Sequence, residues 1–261
     1  MDGAPAADLE SLARQVREGL TAHRPVSDAL FDGLLSPAPR SRSLHYWSSV
    51  EVAQTASRWL TGAGALRVLD VGSGVGKFCA IASLTSGHRL WGVEVRGPLV
   101  HESRALAQRL GAEVVIIDGT LDQVEASRFD AFYFFNPFAE HLAEPHERYD
   151  EQFPRSVDAF LRDVKTVERW LRAAPVGSAM VTYNGLGGRI PLSWMVQRSM
   201  VLGGDHLRLW IKRGTDESRD AIIEIDEHLI RSSLLAGLMR KGDKRIRDDS
   251  LVSRLVSLGE P

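Results

Sequence analysis

Residues 66–76 read LRVLDVGSGVG, and the fold follows from how they divide. Leu66, Val68, Leu69 and Val71 form a short run of β-formers. Gly72, Gly74 and Gly76 follow at alternate positions, and then come the close-set apolar, mostly small residues Phe78, Cys79, Ala80, Ile81, Ala82 and Leu84. The pattern predicts a strand, a tight glycine turn and a helix, the first unit of a nucleotide-binding α/β sheet. Glycine lets the main chain turn sharply and lets a ligand lie against it with no Cβ in the way. The helix that opens after the turn presents unpaired N–H groups, a seat for a carboxylate or phosphate.

The spacing narrows the choice. In a dinucleotide fingerprint the third glycine falls five positions after the first. Here it falls four after, the sixth position is Lys77, and Asp70 stands inside the motif at the strand end. This D-x-G-x-G-x-G arrangement resembles motif I of class I S-adenosylmethionine-dependent methyltransferases. The resemblance implies a seven-stranded, mostly parallel sheet with helices on both faces. It also implies S-adenosylmethionine as cofactor, held around Asp70, Gly72, Ser73, Gly74 and Gly76.

Downstream, strands and helices alternate as a parallel sheet requires. Strands are predicted at 89–95, 113–117, 129–135 and 177–183, and helices at 98–110 and 154–172. Two more strands are expected near 195–202 and 207–213, joined by a hairpin turn at Gly203-Gly204-Asp205, which would end the sheet antiparallel. Ligands of such sheets bind at the carboxyl ends of the strands. The second strand ends at Glu94, 18 residues after Gly76. A carboxylate there can accept both hydroxyls of a ribose with a free 2′-OH. The third strand ends in Asp118-Gly119. In the resembling family an acid at this place receives the adenine amino group, although Asp-Gly alone also signals a turn.

The fourth strand ends in FFNPF. Asn136, Pro137 and Phe138 resemble motif IV of the amino-methyltransferases, (D/N/S)-P-P-(Y/F/W), with one proline missing. The DVGSGVG and WGVE runs also resemble Dot1-like lysine methyltransferases. These likenesses cover about residues 66–140. They imply N-methylation of an amine-type acceptor, a protein side chain or a small molecule, with Asn136, Pro137 and Phe138 as the catalytic residues. An amide oxygen and a neighbouring backbone carbonyl would aim the acceptor lone pair, and Phe138 would cover it; no metal is needed. Glu140 or His141 can be the proton acceptor, and His141 also reads as a surface histidine. A non-catalytic S-adenosylmethionine-binding sensor or partner subunit would keep the same cofactor residues. An NAD-dependent oxidoreductase is disfavoured by the glycine spacing and by the lack of a Tyr-x-x-x-Lys pair.

The flanks organise the rest. Leu9, Leu12, Ala13, Val16 and Leu20 predict an amphipathic helix over 6–20. Residues 24–43 read as a connection with one short helix near Asp28–Leu35, in which Arg40 and Arg42 are solvated charges. Residues 44–60 predict one amphipathic helix capped by Ser48 or Ser49. Tyr46 and Trp47 are candidate substrate-binding residues or, equally, core aromatics. This gives an N-terminal helical extension (1–43), a methyltransferase domain (44–214) and a partly helical C-terminal extension (215–261) that includes LIRSSLLAGLM at 229–239.

Of the 261 residues one is cysteine, which excludes an internal disulfide and a cysteine zinc site; Cys79 is expected as a small buried residue. A net charge of −2 supplies no basic field for nucleic acid, so a protein or small-molecule acceptor is favoured. The sequence shows neither a signal-peptide pattern nor an apolar run of about 18 residues, so a cytoplasmic protein that does not engage membranes is expected.

Overall fold

The computed structural model describes residues 6–142, 149, 156–216 and 221–224. Five helices precede the first strand: α1 (Ala6–Thr21), α2 (Asp28–Asp32), α3 (Pro37–Ser41), α4 (Ser43–Tyr46) and α5 (Val50–Gly62). Then come β1 (Arg67–Val71), α6 (Lys77–Thr85), β2 (Arg89–Glu94), α7 (Gly97–Leu110), β3 (Val114–Asp118) and β4 (Ala131–Phe135). The chain continues through α8 (Val157–Ala173), β5 (Ala179–Tyr183), β6 (Gly188–Pro191), β7 (Trp194–Leu202), β8 (Asp205–Lys212) and β9 (Ala221–Glu224).

Seven strands form one sheet in the order β3-β2-β1-β4-β5-β8-β7. The first five are parallel, and β8 pairs antiparallel with both β5 and β7. The expected sheet and its antiparallel end are therefore present, and the strand order reverses between β1 and β4. Successive strand residues feed opposite faces. Val68, Tyr133, Val181 and Leu209 join one apolar core with α1, α5, α6 and α7. Leu69, Val71, Phe132, Phe134 and Met180 join a second core with α8. Ala13, Val16 and Leu20 of α1 are buried in the first core.

The helix expected to start from a Ser48 or Ser49 cap is α5, and Trp47 ahead of it is extended (φ −116°, ψ 139°). Ser49 is the cap that starts α5, accepting the Val52 N–H at 3.2 Å, while Ser48 is buried against the Tyr133 hydroxyl at 2.6 Å. The 24–43 connection holds α2 and α3, and α3 starts on Pro37, whose missing N–H costs nothing at a first turn. Arg40 is exposed, as expected of a solvated charge, and its guanidinium also donates to the Gly33 and Leu35 carbonyls at 2.7 Å, closing the end of α2. Sequence reading also missed β6 and β9, which pair in a small separate sheet.

No helix lies between β5 and β7; the chain crosses on residues 184–187 and β6. Between β3 and β4 two single-turn 3-10 helices, Leu121–Gln123 and Ala126–Arg128, replace a crossover helix. No described helix is long and apolar enough to cross a membrane. The helix expected at 229–239 lies outside the described residues.

Candidate active site

A cleft of about 1280 Å³ opens at the carboxyl ends of the strands and spans the point where the order reverses. Gly72, Gly74, Glu94 and Gly119–Leu121 line the half over β1, β2 and β3. Phe135, Asn136, Pro137, Phe138, Tyr183, Asn184 and Asp205 line the half over β4, β5 and β8. Tyr46 and Trp47 are part of its N-terminal wall.

The three glycines have different tasks. All are left-handed, with φ of 73°, 54° and 72° at Gly72, Gly74 and Gly76, which only glycine adopts without strain. A Cβ on Gly72 would stand 2.9 Å from the Pro137 side chain, so this glycine lets the β4 loop close over β1. A Cβ on Gly74 would overlap the Trp47 ring, and one on Gly76 would overlap the Ser103 hydroxyl on α7. Gly76 therefore serves helix packing and does not line the cleft.

Glu94 is the strut of the first half and is buried at 4% exposure. One carboxylate oxygen accepts the Gly74 N–H at 3.0 Å, and the other accepts the N–H groups of Val95 and Arg96 at 3.0 and 2.9 Å. The Arg96 guanidinium stands 3.6 Å away. Two carboxylate oxygens offer about four acceptor positions, so capacity for a ligand hydroxyl remains.

Asp70, in contrast, does not line the cleft. It falls on the same face of β1 as Val68 and lies against α6, where the Cys79 thiol donates to it at 3.4 Å. Burial raises its pKa from 3.8 to about 7; the thiol opposes the shift and the Glu94 charge adds to it. Burial and the Asp70 carboxylate push the Cys79 thiol well up. Cys79 is the small buried residue expected.

Ser73 also turns away from the cleft. Its hydroxyl is buried over Gly92, where a Cβ would come within 2.6 Å of it. Asp118 is exposed and outside the lining, because β3 is the sheet edge with no strand beyond it; Gly119 and Thr120 take its place at the cleft.

In the second half Asn136 is left-handed (φ 39°), a conformation asparagine tolerates better than most residues. Its N–H donates to the Gly185 carbonyl at 3.0 Å, which ties the β4 loop to the β5 loop. Phe138 is 5% exposed and belongs to the second core while still lining the cleft. His141 is not on the surface: it is buried, with Nε2 3.2 Å from the Asp163 carboxylate. Glu140 pairs with Arg96, whose guanidinium lies 6.0 Å from the Tyr149 ring centre.

The N-terminal wall is locked to the glycine loop. Lys77, the sixth motif position, is 2% exposed, and its ammonium lies 2.7 Å from both Asp28 and Asp32 of α2. Asp28 also accepts the Val50 N–H at 2.8 Å, at the start of α5. Tyr46, Trp47 and Tyr149 pack together with ring centres 5.6–5.8 Å apart, and the Trp47 indole donates to the Pro39 carbonyl at 3.1 Å. Arg42, read from sequence as a linker charge, lines the cleft.

Asn184, Tyr183 and Asp205 were not singled out from sequence. Asn184 follows the fifth strand as Asn136 follows the fourth, and it too is left-handed (φ 55°). The signal was present: the fifth strand, like the second and the fourth, delivers its last residue to the cleft.

No family model matches the chain, and no curated protein matches it. Among solved structures it is similar to an RNA methyltransferase from Salinibacter ruber in complex with S-adenosyl-L-homocysteine. The identity is 20%, over 64% of this chain and 95% of that one, with a TM-score of 0.45. It is also similar to the mitomycin 7-O-methyltransferase MmcR, at 17% identity over 78% of this chain and 66% of that one, with a TM-score of 0.46. A third likeness is to a mutant of MtNAS in complex with S-adenosylmethionine, at 14% identity over 78% of this chain and 73% of that one, with a TM-score of 0.43. None of the three is a Dot1-like lysine methyltransferase. The seven-stranded sheet with antiparallel β8 inserted between β5 and β7 is the class I methyltransferase fold.

Proposed function

We propose that this chain is an S-adenosylmethionine-dependent methyltransferase acting on the nitrogen of an amine-type acceptor. The observation that carries the reading is the junction at the switch point. Pro137 seats the Asn136 loop on Gly72, beside a glycine loop that is itself anchored to the Glu94 carboxylate. The donor set fits the cofactor: a buried carboxylate with acceptor capacity left, two cleft-lining glycines, and the Gly119–Leu121 stretch beyond. When bound, S-adenosylmethionine supplies a methyl group on a positively charged sulfur. Glu94 would accept a ribose hydroxyl, and Gly119–Leu121 would flank the base.

The chain's own contribution is positioning, which can lower a barrier by roughly 7–11 kcal/mol. The Asn136 amide oxygen and the adjoining backbone carbonyl would hold the acceptor N–H and aim its lone pair, with Phe138 as the cover. A lysine-like amine with a pKa near 10.4 costs about 4.6 kcal/mol to deprotonate at pH 7. His141, oriented by Asp163, is better suited to take that proton than Glu140, whose carboxylate is engaged by Arg96.

The test is a screen of amines, peptides and nucleic acids, read by release of S-adenosylhomocysteine. Asn136→Ala should leave S-adenosylmethionine affinity within about threefold and lower turnover by roughly 10². Asn136→Gly, which relieves the left-handed backbone, should match it. Wild-type turnover in both variants would remove the nitrogen assignment. Cofactor binding with no methylated acceptor of any class would put the sensor or partner-subunit reading in its place.

A further inference from the structure

The hairpin turn at Gly203-Gly204-Asp205 has no part in the cofactor half of the cleft, yet its tip reaches the opposite wall. It does so because no helix intervenes between β5 and β7, so the β7–β8 hairpin stands directly beside the end of β5. Two features hold it there. The Tyr183 hydroxyl donates to the Leu202 carbonyl at 3.0 Å. Gly203 is left-handed, and a Cβ on it would stand 2.9 Å from that hydroxyl. The phenol thus fits beneath the turn and fixes where β8 begins, at Asp205.

Phe135 and Tyr183 are partners in register at the ends of β4 and β5, and their rings pack with centres 4.8 Å apart at 50°. Both line the cleft, as does Asp205. Asp205 lies close enough that its charge adds to burial in pushing the Tyr183 hydroxyl up to about 12. Elsewhere in the cleft Asp28 and Asp32 face Lys77, Glu94 and Glu140 face Arg96, and Asp163 faces Arg162. A carboxylate on the same wall as two aromatic rings is the chemistry that recognises an ammonium group, by charge-assisted hydrogen bonding and by attraction to the ring quadrupole.

We infer that the half of the cleft over β4, β5 and β8 binds an aliphatic ammonium, with Asp205 as the residue that selects its charge and Phe135 and Tyr183 as the rings it lies against. The inference rests on the methyltransferase reading above and narrows its acceptor to amines that arrive as cations.

The test is calorimetric and needs no turnover. The full chain is saturated with S-adenosylhomocysteine and titrated at low salt with 1,5-diaminopentane and, separately, with the neutral 1,5-pentanediol. The diamine should bind at least about tenfold more tightly than the diol, the scale of one charge-assisted contact. Asp205→Asn, nearly equal in size, should weaken the diamine by about tenfold or more and leave S-adenosylhomocysteine affinity within about twofold, which also shows that the variant is folded. Asp205→Glu should recover part of the diamine binding. Equal binding of diamine and diol, or an unchanged diamine affinity in Asp205→Asn, overturns the inference and leaves the cofactor reading standing. A loss of S-adenosylhomocysteine affinity in Asp205→Asn overturns it too, because Asp205 would then belong to the cofactor. If the wild-type chain does not bind S-adenosylhomocysteine, the methyltransferase reading falls and this one falls with it.

Discussion

Glu94→Gln separates the two tasks assigned to one carboxylate. In the wild type that carboxylate accepts three N–H groups and faces the Arg96 guanidinium. The amide oxygen of glutamine can keep the Val95 and Arg96 N–H groups, but its NH₂ then faces the Gly74 N–H, donor against donor. One charge-assisted hydrogen bond is lost, about 1.5–3 kcal/mol. For a chain of this size the melting temperature falls roughly 2–4 °C per kcal/mol, so a drop of about 3–12 °C is expected in the ligand-free protein. If a ribose hydroxyl uses the same carboxylate, S-adenosylhomocysteine affinity falls roughly ten- to a hundredfold as well. Thermal melts by circular dichroism and calorimetric titration read the two effects independently. A lower melting temperature with a dissociation constant within about twofold of wild type would leave Glu94 a strut and move the ribose site elsewhere. No change in either would refute the whole account of the loop.

Asp70 predicts a pH slope. Its folded pKa of about 7 lies above the ordinary 3.8, so the native state keeps a proton that the unfolded chain releases. That stability is fully present below about pH 4 and is lost as pH rises through 7, by at most about 4 kcal/mol. Urea unfolding at pH 5 and pH 8 should show a smaller loss in Asp70→Asn than in wild type; equal slopes would refute the assignment. Lys77→Met strands Asp28 and Asp32 without their cation and should cost about 3–5 kcal/mol, towards the low end because Asp28 is partly exposed. Adding Asp28→Asn and Asp32→Asn should recover part of it, and a cost under about 1 kcal/mol would show that the latch carries little.

The sheet was legible because its signals are local. Runs of β-formers, a glycine turn and alternating amphipathic helices name their elements without reference to partners, and the Gly-Gly-Asp turn announced the antiparallel end. The lining of the cleft was legible only in part, because strand position does not say which way a side chain turns. Asp70 and Ser73 sit in the motif but are drawn beneath it, one against α6 and the other over Gly92. Asp118 ends its strand as expected, but at the sheet edge, where it is left exposed. Lys77 was visible only as a break in a fingerprint, since its partners on α2 lie more than 40 residues away in sequence. The part Trp47 plays was hidden for a similar reason: its ring packs on Gly74, a contact that no window around residue 47 contains.

That contact also turns the glycine loop into its own optical reporter. The indole lies where a Cβ on residue 74 would be, with its N–H committed to the Pro39 carbonyl. Any ligand that settles on the loop must share that surface with the ring or displace it. Either event changes the polarity around one of the chain's six tryptophans, so loop occupancy can be followed as the emission change that Trp47→Phe abolishes, without a label and without knowledge of the acceptor.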